Sequence, residues 1–221
     1  MLRTYNVPMD IFNKIAGQYD AWYDTRRGNA VFKVELAALR KVDTGGDGWA
    51  ELGVGTGRFA APLYIRHGFD SAPKMLAAAR GRNIAVCAAD IAALPVKDGR
   101  LKGGLIMMTL CFLTDPAAVL REAARVLKPA GSLVIGFVPR EGAWGTSYAL
   151  MAEEGHPVYS RGKYYRAAAV RKMAESAGFV YERAASALFF GPGEEPPETE
   201  KTEEGILSTA GFVAMRFGKR H

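Results

Sequence analysis

Two apolar periodicities alternate along this chain. In "VFKVELAALRKV", Val31, Val34, Leu36 and Leu39 recur near helical spacing, and the helical pattern runs from Asp10 to about Lys41. "DTGGDG" breaks it. Short apolar runs follow: "WAELGV", "LYIRHGFD", "IAVCAAD", "GGLIMMTL" and "SLVIGFV". Helical stretches separate several of them. "GRFAAPL" predicts a brief helix, stopped or bent at Pro62. "APKMLAAAR" predicts another, with Ser71 placed to cap it and Pro73 in its first turn. "AAVLREAARVLK" predicts a third, ended by "PAG". Strands apolar on both faces are what a parallel sheet covered by helices requires. The last third changes character: helix "AAAVRKMAESAG", strand "ERAASALFF", an acidic stretch "GPGEEPPETEKTEEG", and strand "GFVAMRFG". The expectation is an α/β, doubly wound, mostly parallel seven-stranded sheet whose last two strands form an antiparallel pair.

Composition narrows the class. With 221 residues, 49% hydrophobic and 24% charged, the chain suits one domain over 1–221. No apolar run is long enough for a membrane span, and "MLRTYNVPMDIF" lacks the apolar core of a secretory signal. Cys87 and Cys111 lie in apolar runs and read as reduced thiols, so a cytoplasmic location is expected. The net charge of +6 permits acidic partners. The basic residues are scattered, however, without a Lys/Arg run interleaved with aromatics, which speaks against nucleic acid.

The chemistry gathers at Gly53, Gly55 and Gly57, which follow Glu51. A phosphate-binding P-loop needs Gly-Lys-Ser/Thr, and Arg58-Phe59 stand there instead. A dinucleotide fingerprint needs a third glycine where Arg58 lies. Glu51 falls on a strand expected to be buried, where a carboxylate is costly without a positive partner or donors. A ligand with an ammonium and a sulfonium supplies positive charge. Asp70 ends the second predicted strand, where an acid can accept two hydrogen bonds from a ribose diol. Asp90 ends the third, where an acid can accept from an exocyclic amine. Acids at adjacent strand ends around a glycine loop suit S-adenosylmethionine.

"ELGVGTGRF", "GFDSAPKMLAAAR", "CAADIAALPVKDGRLKGGLIMMTL", "DPAAVLREAARVLKPAGSLVIGF" and "MAESAGF" follow one another in this order. In this the chain resembles the Rossmann-like class I S-adenosylmethionine-dependent methyltransferases, nearest to the small-molecule branch with ubiquinone and menaquinone biosynthesis enzymes. The resemblance covers about Asp10 to Val180. It implies that Glu51 and the backbone around Gly53, Val54, Gly55 and Gly57 face the methionine moiety. Asp70 would hold the ribose hydroxyls, Met75 would pack near the adenine, and Asp90 would meet its amine beside the Ile91 N–H. Tyr19 would cover the methionine end, and Met108 completes the set. The opening "IFNKIAGQYDAWYD" is similar to the family's N-terminal helices, so 1–44 would form a helical cap.

Two departures matter. The link from Gly57 to Asp70 is short, so its helix should be clipped. Many relatives carry His-His before "LPDP", whereas Cys111-Phe112 precede "LTDP" here, so that histidine base is absent. Methyl transfer from a sulfonium is an in-line displacement and needs a base only for a proton of high pKa. His67 reads as structural. His156 and Tyr19 are the candidates for a catalytic role, with a surface-loop reading of His156 kept beside it. Trp144, Tyr148, Tyr159, Tyr164 and Tyr165 crowd the stretch 140–166, either as core and surface residues or as the lining of a small-molecule acceptor site. No metal is expected. A nucleic-acid or protein methyltransferase, and a cofactor-binding protein without catalysis, remain the alternatives.

Overall fold

The computed structural model describes residues 10–199 and 201–220. Residues 1–9 of the expected cap, and with them most of the stretch inspected for a signal, lie outside the described residues. The early helical pattern splits into α1 (Asp10–Trp22) and α2 (Arg26–Lys41). The Thr25 hydroxyl accepts from the Gly28 N–H at 3.0 Å and caps α2.

The chain then runs β1 (Trp49–Leu52), β2 (His67–Asp70), α3 (Pro73–Gly81), β3 (Ala85–Ala88), β4 (Leu101–Met107), α4 (Pro116–Val126) and β5 (Leu127–Phe137). It continues with α5 (Ala143–Glu153), α6 (Ala167–Ser176), β6 (Phe179–Ala187), β7 (Glu203–Glu204) and β8 (Phe212–Lys219). One sheet holds them in the order β3-β2-β1-β4-β5-β8-β6-β7. β1 to β5 pair in parallel, and β8 runs antiparallel to both β5 and β6. The chain winds outward from β1 to β3, then returns to lay β4 on the other side of β1. That reversal opens a crevice at the carboxyl ends of β1 and β4, where open α/β sheets bind ligands.

Alternation along the strands builds two cores. Leu105, Met107 and Val134 face α2, α3 and α5, while Ile106, Leu133 and Ile135 face α4 and α6.

Local details differ from the sequence expectation. The sheet has eight strands, not seven, because Glu203 and Glu204 of the acidic stretch pair with Ser186 and Ala185. "PAG" does not end α4, which stops at Val126. It lies inside β5 as an irregularity, with Leu101 opposite Leu127 but Gly103 opposite Ser132, and with Ala130 at φ 58°. Ser71 does not cap α3. Ala72 holds the cap position without a side-chain bond, and its N–H is taken at 2.9 Å by Asp70 Oδ1. The clipped first crossover is a single 3-10 turn, Ala61–Leu63, with Pro62 within it rather than ending a helix.

Arg58, where a third fingerprint glycine would stand, ties α1 to the glycine loop. Its Nη2 donates to Asp20 O at 2.7 Å and its Nη1 to Asp24 Oδ1 at 2.9 Å. Arg82 completes the cluster, donating to Asp20 Oδ2 at 2.7 Å and to Thr56 O at 3.0 Å. Burial pushes the Asp20 carboxyl up, but the bond from Arg82 and the charges of Arg82 and Arg58 outweigh it and hold it below its ordinary value. Asp20→Ala should lower the opening free energy of α1 amides in native-state hydrogen exchange by about 1–2 kcal/mol, since these pairs are only partly buried. Protection of β4 and β5 should not change. Unaltered exchange across α1 would mean that packing of Ala16 on Ala72 and Met75 holds the helix alone.

Candidate active site

β1 delivers Glu51 into the crevice with 2% of its surface exposed and its Oε2 without a hydrogen-bond partner. Burial pushes its carboxyl well above the ordinary glutamate value, the charge of Asp70 adds to this, and the Ala60 N–H pulls the other way. Asp70, at the end of β2, accepts from the Gly55 N–H and the Ala72 N–H, each at 2.9 Å. Burial raises its carboxyl, and the N–H groups of Ala72, Gly55 and Ser71 only partly offset that. Asp70 thereby ties the glycine loop to the start of α3.

The loop's glycines do different jobs. Gly53 has φ +84°, and a Cβ there would come within 2.5 Å of the Thr109 side chain. Gly57 has φ +75° and turns away from the crevice, so that a Cβ would strike Ile84 Cδ1 at 2.4 Å. A Cβ on Gly55 would meet nothing within 4 Å, so the backbone there borders open space.

A cavity of about 150 Å³ occupies the crevice. Of the residues expected around a cofactor, Tyr19, Glu51, Gly53, Val54, Gly55, Asp70, Met75, Ile91 and Met108 line it. Gly57 and Asp90 do not. Gly57 donates its N–H to Val54 O at 2.8 Å within the loop, and Asp90 Oδ1 accepts from the Ala92 N–H at 2.8 Å as a turn acid. The cavity fits a ligand such as S-adenosylmethionine: a buried carboxyl whose Oε2 has no partner needs a cation or a donor, and the Gly55 edge leaves room for close approach.

A second cavity, of about 380 Å³, adjoins it, and Phe12, Tyr19, Met108 and Phe112 line both. Met108 sits there with φ 52°, a left-handed conformation uncommon for a side chain of its size. Tyr148, His156, Tyr159, Tyr164 and Tyr165, all within 140–166, line this cavity, whereas Trp144 is buried and donates its indole N–H to Phe190 O at 2.6 Å. His156 is anchored: its Nδ1 accepts from the N–H groups of Val158 and Tyr159, both at 3.3 Å, and its ring stacks on Tyr159 with centroids 4.4 Å apart. Tyr19 Oη lies 3.2 Å from Tyr23 Oη. Burial raises the Tyr19 phenol far above its ordinary value; the Tyr23 contact opposes this, and the charges of Glu35 and Glu51 add to it. Such a phenol holds its proton and is a poor base. Cys111, also on the wall, has its thiol pushed up to about 12 by burial.

Glu35 also lines the second cavity and was not among the sequence candidates. It is 2% exposed with Oε2 unpartnered, and burial raises its carboxyl to about 8. A signal existed: Glu35 stands one turn after Val31 and one turn before Leu39, on the apolar side of α2. His67, read as structural, is exposed on β2 away from both linings.

Residues 50–135 match the model of a methyltransferase domain. The chain is similar to a Thermotoga maritima protein described as a SAM-dependent methyltransferase and possible histamine N-methyltransferase. The two superpose with a TM-score of 0.88 at 32% identity, covering 96% of this chain and 99% of the other. The chain belongs to the class I S-adenosylmethionine-dependent methyltransferases. An uncharacterized protein of Mycobacterium tuberculosis is 40% identical to this methyltransferase over 201 residues, 90% of this chain and 70% of the relative. A demethylmenaquinone methyltransferase of Corynebacterium kroppenstedtii is 32% identical over 130 residues, 57% of each. S-adenosylmethionine is therefore the methyl donor. Among the described residues, no helix is long and apolar enough to cross a membrane, and no cluster of His, Cys, Asp and Glu could hold a metal ion.

The empty methyltransferase carries a pH signature. Below the ordinary glutamate value of 4.5, Glu35 is protonated in both folded and unfolded chains and costs nothing. Between that value and about 8 the unfolded chain releases a proton that the folded chain keeps, so stability falls as pH rises. Glu35→Gln removes this loss. In urea melts, its stability advantage over the native chain should grow from pH 5 to pH 8 by on the order of a few kcal/mol, then level off. Parallel pH profiles for the two proteins would show that Glu35 ionises freely.

Proposed function

We propose that this methyltransferase holds its donor in the smaller cavity and methylates a small molecule bound in the larger one. The observation that carries this reading is their common wall: Phe12, Tyr19, Met108 and Phe112 border both spaces, so a donor and an acceptor can meet there. The larger cavity has aromatic walls and, among the described residues, no Lys or Arg on its lining, which suits a small apolar body and not a phosphate backbone. The description of the Thermotoga protein names a small molecule too.

Glu51 would receive the methionine ammonium, beside the backbone of Gly53, Val54 and Gly55. Asp70 would turn to the ribose diol, and Met75 and Ile91 would flank the adenine, with Asp90 next to Ile91 at the strand end. Tyr19 would cover the methionine end. The bound donor supplies an electrophilic methyl group on a sulfonium sulfur. The chain's own contribution is alignment and the exclusion of water, which accounts for much of the rate in a displacement of this kind. Arg58 and Arg82 serve that end by fixing α1, which carries Phe12 and Tyr19. The stretch 140–166 would be the acceptor cap, closing the larger cavity with Tyr148, Tyr159 and Tyr164.

Calorimetry should show S-adenosylhomocysteine binding in the micromolar range, about −7 to −8 kcal/mol. Asp70→Ala should weaken it by about 1.5–3 kcal/mol with folding retained. Normal binding by Asp70→Ala would remove Asp70 from the ribose site. Limited proteolysis tests the cap: cleavage within 140–166 should slow when S-adenosylhomocysteine is present, and equal cutting with and without bound ligand would uncouple that segment from the donor.

A further inference from the structure

The larger cavity holds an unusual electrostatic balance. Among the described residues, Glu35 is the only Asp or Glu on its lining, and no Lys or Arg lines it. The neighbouring hydroxyls do not satisfy the carboxyl. Tyr19 and Tyr23 are within hydrogen-bond distance of each other, and Glu35 Oε2 is left without a partner at 2% residue exposure. A second polar atom on the same wall, Tyr164 Oη, is also buried and unpartnered. Buried polar groups left in this state are rare and point to a missing partner.

The aromatic surroundings specify that partner further. Tyr148 and Tyr159 stack with centroids 4.3 Å apart, and Tyr19 meets Tyr23 edge-on at 5.4 Å. Ring faces attract a cation, and a desolvated carboxylate attracts one more strongly. Val31, Leu110, Phe137 and Val138 on the same lining offer apolar contact, while Gln18, Cys111, His156 and Tyr165 add polar groups. An anionic acceptor would face that carboxyl with no Lys or Arg among the described lining residues to offset it. A neutral apolar acceptor would leave Glu35 Oε2 as orphaned as it is now.

Accordingly, we propose that Glu35 is the recognition group for a basic nitrogen, and that the acceptor class is small apolar amines bound as ammonium ions. On binding, Glu35 gives up the proton it keeps in the free protein and its carboxylate pairs with the ammonium beside the tyrosine rings; where that nitrogen is the atom methylated, its proton passes to the Glu35 carboxylate, which frees the lone pair to take the methyl group as the donor's carbon–sulfur bond breaks. The apolar body fills the cavity, and Tyr164 Oη is free to bond a further polar group on the acceptor. This inference rests on the reading of the larger cavity as the acceptor site. It goes beyond that reading by fixing the charge of what enters. Recognition of that nitrogen also accounts for a carboxyl on the apolar side of α2, where Leu would pack without penalty.

The test uses the full chain saturated with S-adenosylhomocysteine. Three probe pairs differ only in the end group: phenethylamine and phenethyl alcohol, tryptamine and tryptophol, cyclohexylmethylamine and cyclohexylmethanol. Binding is measured by calorimetry on the native protein and on Glu35→Gln. At least one amine should bind the native protein more than about tenfold tighter than its alcohol. Glu35→Gln should erase that preference while leaving the affinities for the alcohol and for S-adenosylhomocysteine unchanged. The proposal is overturned if no amine binds the native protein more tightly than its alcohol, or if Glu35→Gln keeps the preference. Should Glu35→Gln not fold, the comparison on the native protein decides alone. Failure of the native protein to bind S-adenosylhomocysteine would instead defeat the donor-site reading, so the two failures are distinguishable.

Discussion

A carboxyl buried without a counter-charge is the constraint around which the site is built. Glu51 lies on a central parallel strand, beside the reversal in strand order, and its Oε2 has no partner. Desolvating such a group is costly in an empty protein. The fold keeps that cost in place: Gly53 presses against Thr109 where any Cβ would collide, and Asp70 clamps Gly55 to the start of α3. These contacts hold the loop open beside a charge-poor, polar-hungry pocket. A cation brought into that pocket would meet a carboxyl already stripped of solvent.

The same logic recurs across the wall shared by the two cavities. Tyr19 stands between Glu51 and Glu35, and both carboxyls raise its phenol. Its helix is fastened to the glycine loop by Arg58 and Arg82. Glycine loop, shared wall and both cavities are thus joined through α1. Movement of α1 would disturb both cavities together, which gives Arg58 a reason to occupy a position where dinucleotide-binding loops carry glycine.

Much of this was legible in the sequence because it followed from burial. Strands apolar on both faces announced the parallel sheet, and a carboxylate two residues ahead of a glycine loop announced the crevice. What stayed hidden depended on long-range geometry. "PAG" reads as a helix stop, but the helix had already ended at Val126, and the irregular segment was absorbed into β5. Ser71 reads as a cap until Asp70, fixed by the strand before it, reaches the Ala72 N–H first. Asp90 reads as a ligand acid; in the fold its Oδ1 accepts from the Ala92 N–H of its own turn. Glu35 was obscured for a different reason: charged residues on amphipathic helices ordinarily mark the solvent side, and only the packed fold shows this one facing inward. The two-residue β7 carries no periodicity at all and emerges only from pairing with β6.

The most direct test of the account is a crystal structure of the protein with S-adenosylhomocysteine. The account predicts the amino group of the ligand against Glu51, the ribose hydroxyls on Asp70, the adenine between Met75 and Ile91, and the sulfur facing the larger cavity across Tyr19 and Met108. A ligand whose amino group lies away from Glu51, or whose sulfur points away from the larger cavity, would contradict it.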